Sequence, residues 1–285
     1  MIGLRPAILV HGGAGNWPRG RRASADLGCR KAAQAGWDIL AAGGSALDAV
    51  QRAVQTLEDD PQFNAGVGSV LTRTGKVEMD AAVMDGASLA TGAVGAVRRV
   101  RNPVLLARGI LEQGHHVFLV GAGAEELARR LGLEMYREEM LIVARQRARW
   151  QARYGTVGCV ARDVRGGLAA ATSTGGVFGK EPGRIGDSPC IGCGTLADEA
   201  VAVSCTGAGE TIIRATLAAR VRGYLVSGSS PMEAAHQAIG FLAELKAGEA
   251  GLIAIDAHGR LGYATNAPCM PVAWREPGAV LRSAT

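Results

Sequence analysis

The chain has 285 residues, of which 48% are hydrophobic and 20% charged, a composition typical of an ordinary folded globular protein. The formal net charge is +5, but the basic residues are scattered. The densest basic run is better explained as the solvated face of a helix than as a nucleic-acid footprint; it consists of Arg145, Arg147, Arg149 and Arg153. Aromatic residues make up only 4%, so we expect no base-stacking platform and no nucleic-acid partner.

No apolar run approaches the roughly 20 residues of a membrane-spanning helix, and the first apolar run is too short for a secretory signal. Six cysteines in a chain of this length indicate reduced, intracellular thiols. We therefore expect a cytoplasmic protein without a membrane partner.

Strand and helix patterns alternate along the chain with no Ser- or Pro-rich linker between them, which favours one domain. Strands are predicted at Pro6–His11, Glu78–Met84, Ala93–Val97, His116–Val120, Thr156–Asp163, Leu168–Ser173, Ala200–Cys205, Leu252–Asp256 and Leu261–Thr265. Helices are predicted at Ala25–Leu40, Ala46–Leu57, Pro103–Gln113, Glu138–Arg153, Glu210–Val226 and Pro231–Leu245. Several strands are nearly continuous in small apolar residues, as in strands buried on both faces. This order predicts sheets packed face to face with helices outside.

Two familiar motifs are only partly present. Residues 175–180 resemble a phosphate-binding loop, but Thr174 occupies the first glycine position and Glu181 replaces the residue that would bind magnesium. Cys190 and Cys193 form a single Cys-x-x-Cys pair without a second pair, which favours small buried thiols over a zinc site.

The sequence has no Gly-x-Ser-x-Gly elbow, and His11 at a strand end is more typical of a structural group than of a base. The second half instead has a threonine beside glycine at three strand ends, namely Thr156, Thr174 and Thr206. Glycine lets a substrate approach the backbone and leaves N–H groups free to bind an anion. The preference of threonine for strands explains the same pattern without any function.

Arg184 and Asp187 carry opposite charges three residues apart in a predicted turn. Such a pair could hold the carboxylate and the ammonium group of a free amino acid. A local surface ion pair explains the spacing equally well. The residues by themselves therefore indicate an amino-acid site without identifying a nucleophile.

Seven segments together resemble the plant-type (isoaspartyl) L-asparaginase family of N-terminal-nucleophile hydrolases. They keep the order of the family over nearly the whole chain, and they are His11–Gly15, Phe63–Ser69, Met79–Gly86, Gly155–Gly158, Thr172–Gly176, Gly183–Ser188 and Ser204–Glu210. The resemblance implies an α+β fold, a four-layer αββα sandwich, in one domain of residues 1–285. It also implies self-cleavage between Gly155 and Thr156 into an α subunit of residues 1–155 and a β subunit of residues 156–285. A homodimer of such αβ units, a heterotetramer of chains, is expected.

The resemblance also implies the catalytic roles. Thr156 is the nucleophile, and its freed α-amine, with a pKa of about 7.7–8.0, takes the hydroxyl proton. Thr174 hydrogen-bonds the nucleophile and tunes it. Thr206 and the N–H of Gly207 hold the substrate oxygen in an oxyanion hole.

The substrate-binding roles follow in the same way. Arg184 would bind the α-carboxylate, while Asp187 and the carbonyl of Gly209 would bind the α-ammonium group. Asn64 lies in a loop that the family places near the nucleophile. The implied reaction is hydrolysis of L-asparagine or a β-aspartyl dipeptide to L-aspartate, with ammonia or an amine leaving.

No catalytic cofactor is implied, but the family holds a structural sodium ion through backbone carbonyls. The matching positions are Leu57, Glu58, Asp60, Phe63, Ala65 and Val67. Carbonyl oxygens suit a hard cation.

Two alternatives remain open. Glycosylasparaginase shares the nucleophile, although Gly155 stands where that enzyme typically has Asp. An amino-acid-binding protein that never cleaves itself is the other alternative. The chain departs from its relatives at Ala208, where a polar residue is common, and in the short arginine-rich segment before Thr156.

Overall fold

The computed structural model describes residues 5–144, 155–245 and 248–285. In these ranges the chain forms a mixed α+β fold of two sheets and eight helices. The strands are β1 (Ala7–His11), β2 (Met79–Asp85), β3 (Thr91–Val97), β4 (Phe118–Val120), β5 (Thr156–Arg162), β6 (Leu168–Thr174), β7 (Thr195–Ala197), β8 (Val201–Gly207), β9 (Ala250–Asp256), β10 (Leu261–Thr265), β11 (Val272–Arg275) and β12 (Arg282–Ala284). The helices are α1 (Arg19–Ala41), α2 (Ala46–Asp59), α3 (Pro103–Gln113), α4 (Gly121–Arg130), α5 (Glu138–Leu141), α6 (Gly209–Ala215), α7 (Leu217–Val226) and α8 (Pro231–Glu244).

The larger sheet has eight strands in the order β12-β11-β1-β5-β6-β2-β3-β4, and the smaller has four in the order β10-β9-β8-β7. Strands β5 and β6 lie at the centre of the larger sheet and pair antiparallel, with Thr156 opposite Thr174. Strand β2 continues the sheet beside β6, with Asp80 opposite Thr174. Three polar residues of three strands are thus neighbours across the sheet.

Three apolar clusters account for the core. One joins a face of the larger sheet to α1, α2, α3 and α4, and a second joins the smaller sheet to α6, α7 and α8. The third joins residues of both sheets, among them Leu9, Val160, Ala170, Ala202 and Ile253. Strands β5, β6 and β8 are buried along their whole length, which confirms the prediction of strands buried on both faces.

Side chains alternate along a strand, so the third cluster identifies what lies between the sheets. On β5, Val160 belongs to that cluster, and Thr156 points to the same side. On β6 and β8 the even-numbered residues likewise face the space between the sheets, because Ala170 and Ala202 belong to the cluster. The residues that share this side with them are Thr172, Thr174, Ser204 and Thr206. Apolar residues therefore fill one part of the space between the sheets and hydroxyls fill the other.

All nine predicted strands are present within two residues of their predicted bounds. Strands β7, β11 and β12 and helix α4 were not predicted. The predicted helix Glu210–Val226 is wrong as a single helix, because Thr216 adopts a left-handed φ of 44° and separates α6 from α7.

Of the predicted helix Glu138–Arg153, α5 covers only Glu138–Leu141. Residues 145–154, including the predicted basic helix face, lie outside the described residues. Within the described ranges, none of the helices combines the length and apolar character needed to cross a membrane.

Candidate active site

The hydroxyl of Thr156 lies at the start of β5, directly beside the peptide bond that joins it to Gly155. Its Oγ1 donates to Oγ1 of Thr174 over 3.1 Å, and the Thr174 hydroxyl donates to the carbonyl oxygen of Gly155 over 3.2 Å. The N–H of Gly176 also donates to Thr174 Oγ1, over 2.9 Å. The Thr174 oxygen thus accepts two hydrogen bonds while its own hydrogen is directed to the Gly155 carbonyl.

The end of β1 packs against the same peptide bond. Gly13 has a φ of +103°, and a Cβ atom there would lie 3.0 Å from the nitrogen of Thr156 and from Cα of Gly155. Only glycine combines this φ with such a close approach. The next residue, Ala14, donates its N–H to Oγ1 of Thr206 over 3.2 Å. A threonine of the smaller sheet is thereby held next to the segment that touches Thr156.

Asn64 lies near Thr156, as the resemblance implied, but its side-chain amide is hydrogen-bonded to the backbone. Its Nδ2 donates to the Gly176 carbonyl over 2.7 Å, and its Oδ1 accepts from the N–H of Val70 over 2.8 Å. A Cβ on Gly155 would lie 3.0 Å from Cβ of Asn64. Asn64 therefore packs against Gly155, and its side chain supports the backbone of the turn that follows β6.

The residues predicted to bind an amino acid do come together. A Cβ on Gly209 would lie 2.7 Å from Nη2 of Arg184 and 2.9 Å from Oδ1 of Asp187, so the glycine backbone approaches both side chains. Among the described residues, no ion pair joins Arg184 to Asp187. Arg184 instead binds Glu210 through two hydrogen bonds of 2.9 Å, from Nε and from Nη2. The alternative of a local surface pair between Arg184 and Asp187 is therefore wrong.

Asp187 is a buried carboxyl group without a full set of partners. It is 3% exposed, and its Oδ2 has no hydrogen-bond partner among the described residues. Burial raises the pKa of Asp187 to about 7; nearby Arg184 lowers this pKa, while Asp80 and Glu210 raise it. A buried acceptor of this kind is suited to a cationic ligand.

His11 is fully buried, and its structural role stays a prediction, because its Nδ1 has no hydrogen-bond partner among the described residues. Its Nε2 lies 3.0 Å from Oγ of Ser204, which is 2.7 Å from Oγ1 of Thr172, and Thr195 donates to that Thr172 oxygen over 2.6 Å. Burial lowers the pKa of His11 to about 3, so its imidazole is neutral at physiological pH. This chain of side chains joins the two sheets beneath the site.

Cys190 and Cys193 are free thiols, but both are only partly buried, so the prediction of buried thiols is wrong in that respect. Cys190 Sγ lies 3.4 Å from the carbonyl oxygen of Gly186, which places it on the turn that carries Asp187. Burial raises the pKa of both thiols, so neither is an activated nucleophile.

Sequence reasoning gave no role to four residues that the structure brings to this region, namely Ala14, Glu78, Asp80 and Glu210. The sequence could not identify Glu210 as a partner of Arg184, because 26 positions separate them. Asp80 lay within a segment matched to the family, and its charge in a mostly apolar strand was a usable signal.

The predicted sodium loop has the chemistry that a hard cation needs. In the described ranges, no group of three or more His, Cys, Asp or Glu side chains could hold a metal ion. Backbone oxygens are concentrated there instead, because a Cβ on Gly68 would lie 2.6 Å from the carbonyl oxygen of Pro61 and 2.8 Å from that of Phe63. A Cβ on Gly66 would lie 2.5 Å from the carbonyl oxygen of Glu58. Two of these three carbonyls, those of Glu58 and Phe63, belong to the predicted set.

Known proteins resemble this chain over nearly its whole length. A family model described as asparaginase matches residues 4–154 and 145–281. An isoaspartyl peptidase/L-asparaginase of Danio rerio is 44% identical over 90% of this chain and 87% of its own length. One of Rattus norvegicus is 46% identical over 90% of this chain and 82% of its own length. A plant-type L-asparaginase of Thermococcus kodakarensis is 42% identical over 95% of this chain and 97% of its own length.

The family model and these relatives each cover nearly the whole chain, and the residues around Thr156 lie together in one site. The chain therefore belongs to the asparaginase family, alongside isoaspartyl peptidase/L-asparaginases and plant-type L-asparaginases.

Proposed function

We propose that this protein is an isoaspartyl peptidase and L-asparaginase that cleaves itself before Thr156 and then uses that residue as its nucleophile. The observation that carries the proposal is the hydrogen-bonded group of Thr156, Thr174 and the Gly155 carbonyl. The names of the relatives support the substrate class.

Self-cleavage would begin with attack of Thr156 Oγ1 on the carbonyl carbon of Gly155. The hydrogen bond from Thr174 polarises that carbonyl, and negative charge developing on its oxygen would strengthen the bond. The peptide nitrogen takes up the hydroxyl proton of Thr156 and leaves as the α-amine of that residue, so the Gly155 acyl group moves from nitrogen to oxygen. Water then hydrolyses the ester and gives chains of residues 1–155 and 156–285. Before cleavage this nitrogen belongs to an amide, which is not a base. It can therefore act as a base only after cleavage has made it an α-amine.

In substrate hydrolysis the freed amine would take the proton of Thr156 Oγ1 as the oxygen attacks the β-amide carbon. The Thr206 oxygen accepts from Ala14, and its hydroxyl hydrogen has no acceptor among the described residues, so it can donate to the substrate oxyanion, beside the Gly207 N–H. Each donor of this kind contributes about 3–4 kcal/mol. The amine proton passes to the leaving nitrogen, and water then releases L-aspartate from the ester.

Arg184 can bind a substrate carboxylate without losing Glu210. Guanidinium has five N–H groups, and Glu210 engages only Nε and one hydrogen of Nη2. The edge formed by Nη1 and the other Nη2 hydrogen remains for a bidentate carboxylate. Asp187 and the Gly209 carbonyl would bind the α-ammonium group.

The proposal includes the architecture that the resemblance implies. The three apolar clusters support a four-layer αββα sandwich in a single domain of residues 1–285. A homodimer of cleaved αβ units is supported by exposed apolar side chains on the β4 edge strand, Phe118 and Val120. Six free thiols support a cytoplasmic location.

We also propose that the loop after α2 binds a structural sodium ion through the carbonyls of the six residues named above. Several already accept a backbone hydrogen bond, as the Glu58 carbonyl does from Val67 N–H over 2.8 Å. A carbonyl has two lone pairs, so such an oxygen can still bind a cation. The ion would hold the loop that carries Asn64, and no step of the reaction passes through it.

The first prediction concerns the nucleophile. Thr156→Ala should stay a single chain and hydrolyse neither L-asparagine nor β-Asp-Leu, because its side chain lacks the attacking oxygen. Thr156→Ser should retain both reactions at reduced rates. Intact mass and product assays measure these results, with a glycosylated asparagine as the substrate that distinguishes glycosylasparaginase. An uncut wild-type chain that binds L-aspartate and hydrolyses nothing would instead support the binding-protein alternative.

The second prediction concerns Arg184. Arg184→Ala should still cleave itself, but kcat/KM for L-asparagine should fall about 100-fold or more, since a buried charge pair with the substrate is lost. Arg222→Ala is the matched control, because that arginine pairs with Asp198 away from the site. Unchanged KM in the Arg184 variant would show that this arginine does not bind the substrate.

The third prediction is a pH dependence set by Asp187. Its raised pKa of about 7 means that the carboxyl is neutral below that pH and cannot pair with an ammonium group. The affinity for L-aspartate, measured by calorimetry, should therefore weaken as the pH falls through about 7. Asp187→Asn should remove this pH dependence and bind weakly at every pH.

The contribution of Asp187 to folding stability should change with pH in the opposite direction to its contribution to L-aspartate affinity. Because its folded-state pKa is raised, the folded state binds this proton more tightly than the unfolded state. The contribution of Asp187 to the free energy of unfolding should therefore decrease between about pH 4 and pH 7, and Asp187→Asn should flatten that decrease in denaturant titrations. An Asn variant with the same pH dependence in both measurements would contradict the assignment.

The fourth prediction concerns sodium. The unfolding midpoint should be higher in sodium chloride than in choline chloride of equal ionic strength, by about 2–4 °C for each kcal/mol of binding free energy. Gly68→Ala should abolish the difference by filling the space between the carbonyls. Gly75→Ala is the matched control, since Gly75 also has a positive φ but faces open space. Equal midpoints of the wild type in both salts would exclude the ion.

A further inference from the structure

The segment Met79–Gly86 matches the family, yet the proposed mechanism uses none of its residues. It forms β2, whose inner face places the Asp80 side chain between the sheets, on the same side as Met84. Asp80 has no exposed surface. A charged group is rarely buried so completely without partners that require it.

Asp80 holds two separate backbone segments. Its Oδ2 accepts from the N–H of Gly186 over 3.1 Å, and its Oδ1 accepts from the N–H of Ala96 over 2.9 Å. Gly186 lies between Arg184 and Asp187 in the chain. Ala96 has a left-handed φ of 53°, which is unfavourable for alanine and which this hydrogen bond helps to maintain. A carboxylate can accept at both oxygens, whereas an amide accepts at only one.

Glu78, just before β2, binds the same loop at two further points. Its Oε2 accepts from the N–H of Gly183 over 2.7 Å, and its carbonyl oxygen accepts from Nζ of Lys180 over 2.8 Å. Glu78 and Lys180 are 7% and 4% exposed. The loop of residues 180–187 is therefore attached to the start of β2 at Lys180, Gly183 and Gly186.

The attached loop is the one that presents both charged groups of the amino-acid site. Gly183 precedes Arg184, and Gly186 precedes Asp187. Each charged side chain therefore follows directly on a glycine whose N–H is held by the carboxylate of Glu78 or of Asp80. Glycine restricts its own backbone little, so the conformation of this turn depends on these external hydrogen bonds.

We propose that Asp80, assisted by Glu78, is a positioning residue that holds the 180–187 loop so that Arg184 and Asp187 face the α-carboxylate and α-ammonium groups of the substrate. This inference rests on the proposed function. Asp80 itself touches the loop and the β3 backbone and acts on the substrate through them.

Asp80 also acts on Asp187 through its charge. The charged groups that bear on Asp187 are Arg184, which lowers its pKa, and Asp80 and Glu210, which raise it. The thiols of Cys190, Cys193 and Cys205 also lie near Asp187. Removing the charge of Asp80 should therefore lower the pKa of Asp187. A residue that only stabilised the fold would not change this titration.

The test is Asp80→Asn in the mature, cleaved enzyme, with Asp85→Asn as the matched control on the same strand. Asp85 accepts from Ser88 N–H at the far end of β2, and among the described residues no hydrogen bond or ion pair joins its side chain to the 180–187 loop. Self-cleavage should proceed in both variants. In Asp80→Asn the KM for L-asparagine and the dissociation constant of L-aspartate should rise about tenfold or more, since one oxygen that accepts from the loop becomes a donor.

The pH at which L-aspartate binding weakens should also shift downward in Asp80→Asn and stay unchanged in Asp85→Asn. An unchanged KM and dissociation constant would overturn the proposal. So would a fall in kcat with unchanged KM, because Asp80 also lies opposite Thr174 and could act on the nucleophile instead.

Should Asp80→Asn fail to fold, Glu78→Gln supplies the same test at Gly183, with a smaller rise in KM expected and an unchanged KM again contradicting the proposal. Failure of the proposed function would be visible separately, as a wild-type chain that does not cleave itself or a Thr156→Ala variant that remains active.

Discussion

The antiparallel pairing of β5 with β6 is the constraint on which the rest of the site depends. It places Thr156 opposite Thr174 and thereby brings one hydroxyl against the other and against the carbonyl of Gly155. A shift of one residue in this register would turn the side chains of β6 to the other face. The buried faces of both strands oppose such a shift, since Val157 and Val160 fill different apolar clusters. Packing of the core therefore fixes the position of Thr156 relative to Thr174.

Polar groups between the two sheets form hydrogen bonds that join the larger sheet to the smaller one. The hydrogen bonds from His11 through Ser204 to Thr172 satisfy side chains that would be costly to bury alone. The N–H of Ala14 holds Thr206 in the same way.

The amino-acid site has a different character, because it concentrates buried charge. Asp187 is buried, one of its oxygens has no hydrogen-bond partner among the described residues, and burial raises its pKa. The folded chain therefore bears a free-energy cost there. An ammonium group bound at that oxygen would offset the cost, which favours a charged amino acid over a neutral ligand. Glu210 fixes one edge of Arg184 and Asp80 fixes the turn. In the proposed site, recognition of the substrate would therefore depend on acidic residues that need not touch it.

The sequence by itself determined the nine predicted strands and the threonines at their ends, because burial on both faces and glycine-rich strand ends are local patterns. Resemblance added the roles of Thr156 and Arg184. Only the tertiary structure decided that Arg184 pairs with Glu210, that the Asn64 amide supports the backbone, and that Asp80 holds Gly186. These contacts join residues that lie far apart in the chain, from 26 to 112 positions. Local propensity carries no information about such pairs. The order of the strands and the side of the sheet that each residue faces bring them together.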